Sequence, residues 1–176
     1  MNWAMRYFLL MLALFFTGCA TNPIDFSKAK TVPQGEAIVF GRVCVIYKGE
    51  PQVWKGIPPY TPFQILVLPI VATEAYSYAL LGDGSFYWHL PPGAYAISGF
   101  DWIQRRMRGR IFTEFVVPED KSTTYIGKLT LDIDRTYRYS ILIEDDYEQA
   151  IQNFKNKFPE IKGEPIKNLM KLEVLR

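Results

Sequence analysis

The chain has 176 residues, with 20 Lys and Arg against 18 Asp and Glu, a net charge of +2 and two cysteines. A charge so close to zero predicts no polyanionic partner, and nucleic acid in particular is not expected. Removal of residues 1–18 would leave 158 residues, the size of one domain. An aromatic content of 15% favours strands over helices for most of that domain.

The N-terminus carries an apolar run, Tyr7 to Phe16, behind the single early cation Arg6. Ten residues are too few to cross a bilayer, which takes about 20. A charged start followed by a short apolar core and small residues is typical of an export signal. We therefore expect residues 1–18 to be a signal peptide.

The run ends in Phe16-Thr17-Gly18-Cys19, which resembles the lipobox of bacterial lipoproteins, with Phe16 where that class usually has leucine. The resemblance implies cleavage behind Gly18, acylation of Cys19 (diacylglyceryl, palmitate) and a membrane-anchored protein of the cell envelope. Ala20, rather than aspartate, resembles the class sorted to the outer membrane, facing the periplasm in a diderm organism. The alternative is ordinary secretion with cleavage after Ala20, which would discard Cys19.

Residues 19–34 show no periodicity, and we interpret them as a lipidated N-terminus and flexible tether. With Cys19 acylated, Cys44 would remain alone, so no internal disulfide is expected and Cys44 is predicted to be a buried small side chain. Residues 35–144 are predicted to form a β-sandwich. Strand patterns recur at Ala37 to Tyr47, Phe63 to Ala72, Glu74 to Leu81, Ser85 to Leu90, Ala94 to Asp101, Arg110 to Val117, Thr123 to Asp134 and Thr136 to Glu144.

The segment Asp83 to Ile97 has alternating apolar residues on both sides of Pro91-Pro92-Gly93, which predicts a β-hairpin. The apolar positions are Phe86, Trp88, Leu90, Tyr95 and Ile97. This pattern resembles the signature hairpin of carboxypeptidase regulatory-like domains, which are transthyretin-like (prealbumin-like) β-sandwiches, and the likeness extends over roughly residues 37–117. It implies a mostly β, prealbumin-like antiparallel β-sandwich that serves as a non-enzymatic module.

The last two strand patterns place their apolar residues on one face if Ile133 lies opposite Tyr137. That register predicts a three-residue loop, Asp134-Arg135-Thr136, and sets Asp132 across from Arg138.

After a capping-box signature, the apolar residues recur at helical spacing, at Tyr147, Ile151, Phe154 and Phe158. We expect a C-terminal amphipathic helix that covers an open face or end of the sandwich. Ile166 to Leu172 is predicted as a second short helical piece, so that residues 145–176 form a helical segment packed on the sandwich.

Catalytic, metal and cofactor sites are not expected, because His89 is the chain's only histidine. A Ser-His-Asp triad would need the same residue, and no G-x-S-x-G motif presents a serine. His89 is predicted to be half-exposed on its strand. The sequence therefore predicts a protein that is not an enzyme.

Two surfaces are candidate binding sites, and the first is a group of four arginines around a predicted turn at Arg108-Gly109. Guanidinium groups pair bidentately with phosphate and carboxylate, so this group could contact lipid phosphates, lipopolysaccharide or an acidic partner. The alternative is a solvated hairpin tip. The four residues are Arg105, Arg106, Arg108 and Arg110.

The second surface is the insert Gly49 to Pro62, which combines Trp54, Ile57 and Tyr60 with four prolines. Proline lowers the entropy cost of presenting those side chains to a glycan or partner. A lid folded onto the sandwich is an equal alternative. We expect a lipoprotein with a non-catalytic binding or scaffolding module, or alternatively a carbohydrate-binding or peptidase-accessory protein that uses this loop.

Overall fold

The computed structural model describes residues 35–55, 62–80, 82–120 and 122–172. These residues form two β-sheets that share one hydrophobic core, with a single α-helix on the outside of the first sheet. The export signal, Cys19 and the tether, together with Ile57 and Tyr60, lie outside the described residues.

The first sheet is built around a central strand, β1, whose two sides pair differently. Strand β8 runs parallel to β1 on one side and is followed by antiparallel β9. On the other side β1 pairs antiparallel with two short neighbours, β2 and β5. The bounds are β1 Ala37–Tyr47, β2 Glu50–Pro51, β5 Ser85–Leu90, β8 Thr124–Ile133 and β9 Tyr139–Glu144.

The second sheet is antiparallel and has the order β4-β3-β6-β7. Its strands are β3 Phe63–Pro69, β4 Tyr76–Ala79, β6 Gly93–Trp102 and β7 Met107–Val117. Inward side chains of both sheets alternate with outward ones and fill the shared core, among them Val45, Ile65, Trp88 and Ile97. The mostly β expectation is confirmed by this arrangement.

The outer face of the first sheet is covered by the predicted C-terminal helix, α1, over Tyr147–Lys157. Ile151 and Phe154 of α1 pack against Phe40 of β1, whose ring stacks on that of Phe154 at 4.6 Å between centroids. This cover explains why β1 is buried on both faces from Ala37 to Phe40, whereas Cys44, farther along, is half-buried rather than fully buried as expected. No helix among the described residues is long and apolar enough to cross a membrane.

The predicted second helical piece at Ile166 to Leu172 is wrong. Two short strands take its place: β10, Ile166–Lys167, runs parallel to β8, and β11, Lys171–Leu172, runs antiparallel to β7. Between them Met170 is buried and its backbone N–H donates to the Ile126 carbonyl at 2.9 Å. A helix of only seven residues gains little free energy, because forming its first turn is unfavourable. The two sheet edges, in contrast, offer unpaired backbone N–H and C=O groups with which this segment can form hydrogen bonds.

The predicted hairpin over Asp83 to Ile97 is also wrong in its pairing. The alternation is correct, since Phe86, Trp88 and Ile97 all face the core. However, β5 pairs with β1 in the first sheet, while β6 pairs with β3 and β7 in the second. Alternation cannot separate the two cases, because the inner faces of both sheets meet the same core, so the Pro91-Pro92 turn carries the chain between sheets.

The β8–β9 register differs from the prediction by two residues, although the faces agree. Ile133 lies opposite Tyr139 and Asp132 opposite Ser140, which leaves a five-residue loop, 134–138. The Asp134 carboxylate organises this loop by accepting hydrogen bonds from the backbone N–H of Thr136 at 2.6 Å and of Arg138 at 3.1 Å. Such side-chain to backbone bonds are what make aspartate a turn residue.

Candidate functional site

One end of the molecule gathers most of the groups that the sequence singled out. β1 has 11 residues, so Ala37 and Tyr47 are about 33 Å apart along the strand. At the Tyr47 end, its ring lies 5.2 Å from that of Trp102, the last residue of β6. We call this end the basic pole, because its exposed cations are Lys48, Lys55, Arg105, Arg106, Arg108, Arg135 and Arg138, against the carboxylates Glu50, Asp101 and Asp134.

The β6–β7 connection forms the tip of the basic pole, and the predicted turn at Arg108-Gly109 is wrong. The chain reverses instead through a 3₁₀ turn, Ile103–Arg105, and Arg106, whose φ is 51°. Gly109 lies within β7, opposite Phe100. A Cβ there would stand 2.1 Å from Cε1 of the Phe100 ring, so this glycine is needed for packing and not for turning.

The four arginines of the tip are all exposed but do not form one patch. Arg108 pairs across the strands with Asp101, with Nη2 at 2.9 Å and Nε at 3.0 Å from Oδ2. Arg110 lies deeper in β7, where its backbone N–H donates to the Tyr139 hydroxyl at 2.8 Å. Arg108 and Arg110 therefore share a positive charge with Arg105 and Arg106 but not a common surface.

Arg105 is held by aromatic rings. Its guanidinium carbon lies 4.2 Å from the centroid of the Tyr47 ring and 5.0 Å from that of Trp102. It also contributes to a lowered pKa at the exposed Tyr137 hydroxyl, where the largest cause is a side-chain hydrogen bond with Tyr47, followed by one with Arg105 and the charges of Arg105 and Lys48. Ring contacts of this kind orient a guanidinium before any ligand arrives.

The chain reaches the pole a second time through β2 and the residues after it. Lys48 and Gly49, with φ of 56° and 81°, form the tight turn that pairs β2 with the end of β1. Trp54 then bonds through its backbone to Gly82, with N–O distances of 2.9 and 3.0 Å. This connection brings Trp54 over the open end of the core.

Trp54 itself is a packed residue, 6% exposed. Its ring lies 4.9 Å from Phe63 and 5.5 Å from Trp102, edge-on to the latter. At this residue the geometry is that of a lid folded onto the sandwich, and the burial leaves little indole face on which a sugar ring could stack. The other two aromatic-loop candidates, Ile57 and Tyr60, lie outside the described residues.

A cavity of about 480 Å³ opens between the described residues of the insert and the hairpin tip. Trp54 and Trp102 form part of its apolar wall, and its polar lining is Gln52, Lys55, Gln104 and Arg105. The structure thus brings together one residue from each of the two predicted surfaces, Trp54 and Arg105. The sequence had placed them on separate surfaces about fifty residues apart.

The two tryptophans of this cavity carry the feature that sequence reasoning missed. Their indole nitrogens are both buried, and neither has a hydrogen-bond acceptor among the residues that the structure describes. Leaving a buried donor unpaired costs roughly 1–3 kcal/mol, so native proteins rarely do so without a reason. No sequence pattern signals an unpaired N–H, because the signal is the absence of a neighbour in space.

His89 was expected to be half-exposed and is instead 8% exposed. It pairs with Ile38 of β1, on the outer face that α1 also covers, and its Nδ1 lies 3.4 Å from Oε2 of Glu36. This places it near the Ala37 end of β1, away from the basic pole. Within the described part of the chain, no three His, Cys, Asp or Glu side chains are grouped closely enough to hold a metal ion.

The basic pole therefore combines exposed positive charge with an open cavity, and beside that cavity two indole N–H groups are buried without an acceptor among the described residues. Comparison with known proteins finds no family model, curated protein or solved structure that matches the chain.

Proposed function

We propose that this protein is a membrane-anchored lipoprotein of the cell envelope whose β-sandwich acts as a non-catalytic binding or scaffolding module. The observation that carries the proposal is the tetrad Phe16-Thr17-Gly18-Cys19 behind a short apolar run. Acylation of the Cys19 sulfur would supply the anchor, and the folded strands begin at Ala37, a short distance along the chain. Two acyl signals are sufficient for stable membrane attachment.

We further propose that the sandwich is prealbumin-like. Support comes from the residues that carry the resemblance, since Phe86, Trp88, Tyr95 and Ile97 all contribute to the core shared by the two sheets. The Pro91-Pro92-Gly93 turn links one sheet to the other.

The basic pole lies at the end of β1 far from the tether, about 33 Å from Ala37. A flexible tether over residues 19–34 would reach about 50 Å when extended, so the anchored sandwich could turn this pole either toward the membrane or away from it. Ala20 after the lipidated cysteine favours the outer membrane, with the sandwich in the periplasm of a diderm host.

Mass spectrometry of the N-terminus tests the anchor. The full chain is expressed in its native host and recovered from the membrane fraction. We expect the mature protein to begin at Cys19 carrying a diacylglyceryl group, and a Cys19→Ser variant to lose this modification and its place in the membrane fraction. A mature chain that begins at an unmodified Thr21 would overturn lipidation in favour of ordinary secretion.

A further inference from the structure

We propose that the basic pole docks on the surface of an anionic phospholipid leaflet, with its cations against the lipid phosphates and two exposed side chains, Ile103 and Tyr137, at headgroup depth. This inference rests on the proposed anchor and adds a second, charge-dependent contact to it. Three properties of the pole support it: the convergence of three turns, the backbone conformation of those turns, and their combination of charge with exposed apolar groups.

Three connections of the fold meet around the ring of Tyr47, the last residue of β1. Lys48, in the β1–β2 turn, places Nζ 5.0 Å from the centroid of that ring, and Arg105, in the β6–β7 turn, places its guanidinium carbon at 4.2 Å. The ring of Tyr137, in the β8–β9 loop, stacks on Tyr47 at 6.2 Å between centroids. Because Tyr47 is buried, it holds side chains from three separate turns together at one end of the sandwich.

The backbone of these turns is strained in a consistent way. Within the described residues, only three residues other than glycine have a positive φ, and each of the three turns contains one: Lys48 at 56°, Arg106 at 51° and Tyr137 at 62°. Glycine adopts this left-handed conformation readily, whereas a residue with a Cβ pays a steric cost there. Such strain clusters at functional sites, which indicates that these two cations and this tyrosine are present for their side chains.

The charge of the pole suits an anionic surface. Its seven exposed cations outnumber its carboxylates, even when Asp132 near the end of β8 is counted. Two of the carboxylates are already engaged, since Asp101 pairs with Arg108 and Asp134 accepts hydrogen bonds from its own loop. Clusters of about four to eight Lys and Arg are typical of segments that bind anionic lipids.

Exposed apolar groups among these cations favour a lipid surface over an acidic protein. Ile103 is 50% exposed at the tip of the β6–β7 turn, and Tyr137 is 45% exposed. Tyrosine is enriched at headgroup level in membranes, because its ring is apolar and its hydroxyl is polar. A leaflet is also the surface that the anchor would supply, since residues 19–34 would reach at most about 50 Å and keep the pole at a high effective concentration beside it.

Fluorescence of a labelled pole tests the proposal in the chain isolated from its native host and reconstituted into vesicles. An environment-sensitive dye is attached at Gln104→Cys in a Cys44→Ser background, and the vesicles contain phosphatidylcholine alone or mixed with phosphatidylglycerol. The anchor is the same in both kinds of vesicle, so a difference between them reports on the pole. We expect a blue shift of the dye only with phosphatidylglycerol, and its loss in about 1 M salt, where the Debye length falls to about 3 Å.

A second labelling position controls for general adsorption to charged vesicles. Val71 is 98% exposed and follows β3, whose last residue, Pro69, pairs with Tyr95, at the end of β6 opposite to Trp102. A dye at Val71→Cys should therefore show no shift with either kind of vesicle.

Glycine substitutions separate the contact from the fold, because glycine suits the positive φ of Lys48 and Arg106. The variant Lys48→Gly with Arg106→Gly should leave the free energy of unfolding nearly unchanged. It should lower the ratio of docked to undocked protein about tenfold or more, since two cations leave the surface. The matched control, Lys162→Gln with Lys171→Gln, removes the same charge from exposed positions away from the pole. It should change that ratio less than about twofold, because charges farther than a Debye length from the leaflet are screened.

Equal losses in the two double variants, an equal shift of the dye at Val71→Cys, or a dye at Gln104→Cys that responds alike to both kinds of vesicle would each overturn the proposal. Failure of docking and failure of the anchor are distinguishable by flotation. A chain that floats with phosphatidylcholine vesicles but shows no lipid-dependent shift keeps the anchor and removes docking. A chain that floats only with phosphatidylglycerol vesicles supports docking and removes the anchor.

Discussion

Two aromatic clusters in this molecule contain similar residues but differ in their polar atoms. The first, which we call the helix-side cluster, joins α1 to the outer face of the first sheet and consists of Phe40, Tyr87, Tyr125, Phe154 and Phe158. The second, the pole cluster, closes the core at the basic pole and consists of Tyr47, Trp54, Phe63 and Trp102.

In the helix-side cluster the rings leave little empty space, and the central hydroxyl group has a hydrogen-bond partner. The Tyr125 hydroxyl accepts a hydrogen bond from the Asp146 backbone N–H at 2.8 Å, just before α1 begins. The void beside the cluster has a volume of about 20 Å³, which is room for about one water molecule. This cluster holds a helix on a sheet, and its geometry is that of a packed structural contact.

The pole cluster differs in both respects. Both indole N–H groups lack an acceptor among the described residues, and the adjoining cavity is more than twenty times larger. Aromatic content therefore does not distinguish the two clusters. The two clusters differ in whether the polar groups of their rings have hydrogen-bond partners and in the volume of the cavity beside them.

The largest expected effect is the loss of helix packing in Phe154→Ala. The Phe154 side chain is 2% exposed and stacks on Phe40, so its removal should lower the free energy of unfolding by about 3–5 kcal/mol. Chemical denaturation measures the change. Arg105→Ala, which alters an exposed side chain of the pole, is the contrasting variant and should cost less than about 1 kcal/mol. A loss below about 1 kcal/mol for Phe154→Ala would mean that α1 contributes little to the fold.

The parts of the fold that follow from local period were predictable. The observed β1 and β5 coincide with the predicted strands, and α1 lies where the helical spacing indicated. In each case the pattern of burial is repeated along the element, so a few residues reveal it. The hairpin pairing predicted around Pro91-Pro92-Gly93 and the turn predicted at Arg108-Gly109 both failed. They depend on which strand lies beside which, and that information is not local.

The candidate site could be predicted only in pieces. Arg105 and Trp54 were each recognisable from residue type and neighbours, but they meet because the end of β1 brings Tyr47 against Trp102. The third part, the unpaired indole donors, has no sequence signature at all. Sites assembled from the ends of several strands share this limit, since their geometry is set by tertiary pairing.

A smaller effect is expected for Tyr125→Phe, which tests whether the satisfied hydroxyl matters. The variant leaves the Asp146 N–H without its acceptor and should lower the free energy of unfolding by about 1 kcal/mol at pH 8. Burial, the largest cause, raises the pKa of Tyr125 to about 12, so between pH 10 and 12 the unfolded chain loses its proton first and the wild type loses stability as the pH rises.

The difference between wild type and Tyr125→Phe should therefore shrink above pH 10, as measured by urea unfolding at pH 8 and pH 11. Tyr95, whose pKa burial also raises to about 12, stays in both proteins and contributes equally. A difference that grows with pH would contradict the assignment of a buried, protonated Tyr125.

The smallest expected effect concerns the charges of the pole, which should matter little for stability. The Arg108 side chain is 83% exposed where it pairs with Asp101. Exposed ion pairs typically contribute about 0.2–1 kcal/mol to the free energy of unfolding. A double-mutant cycle with Arg108→Ala and Asp101→Ala measures the coupling, which should fall toward zero in about 1 M salt because the Debye length shrinks to about 3 Å. A coupling well above about 1 kcal/mol that survives salt would make this pair a structural element. A weak, salt-sensitive coupling would show that this ion pair contributes little to the fold, in contrast to the packing of the helix-side cluster.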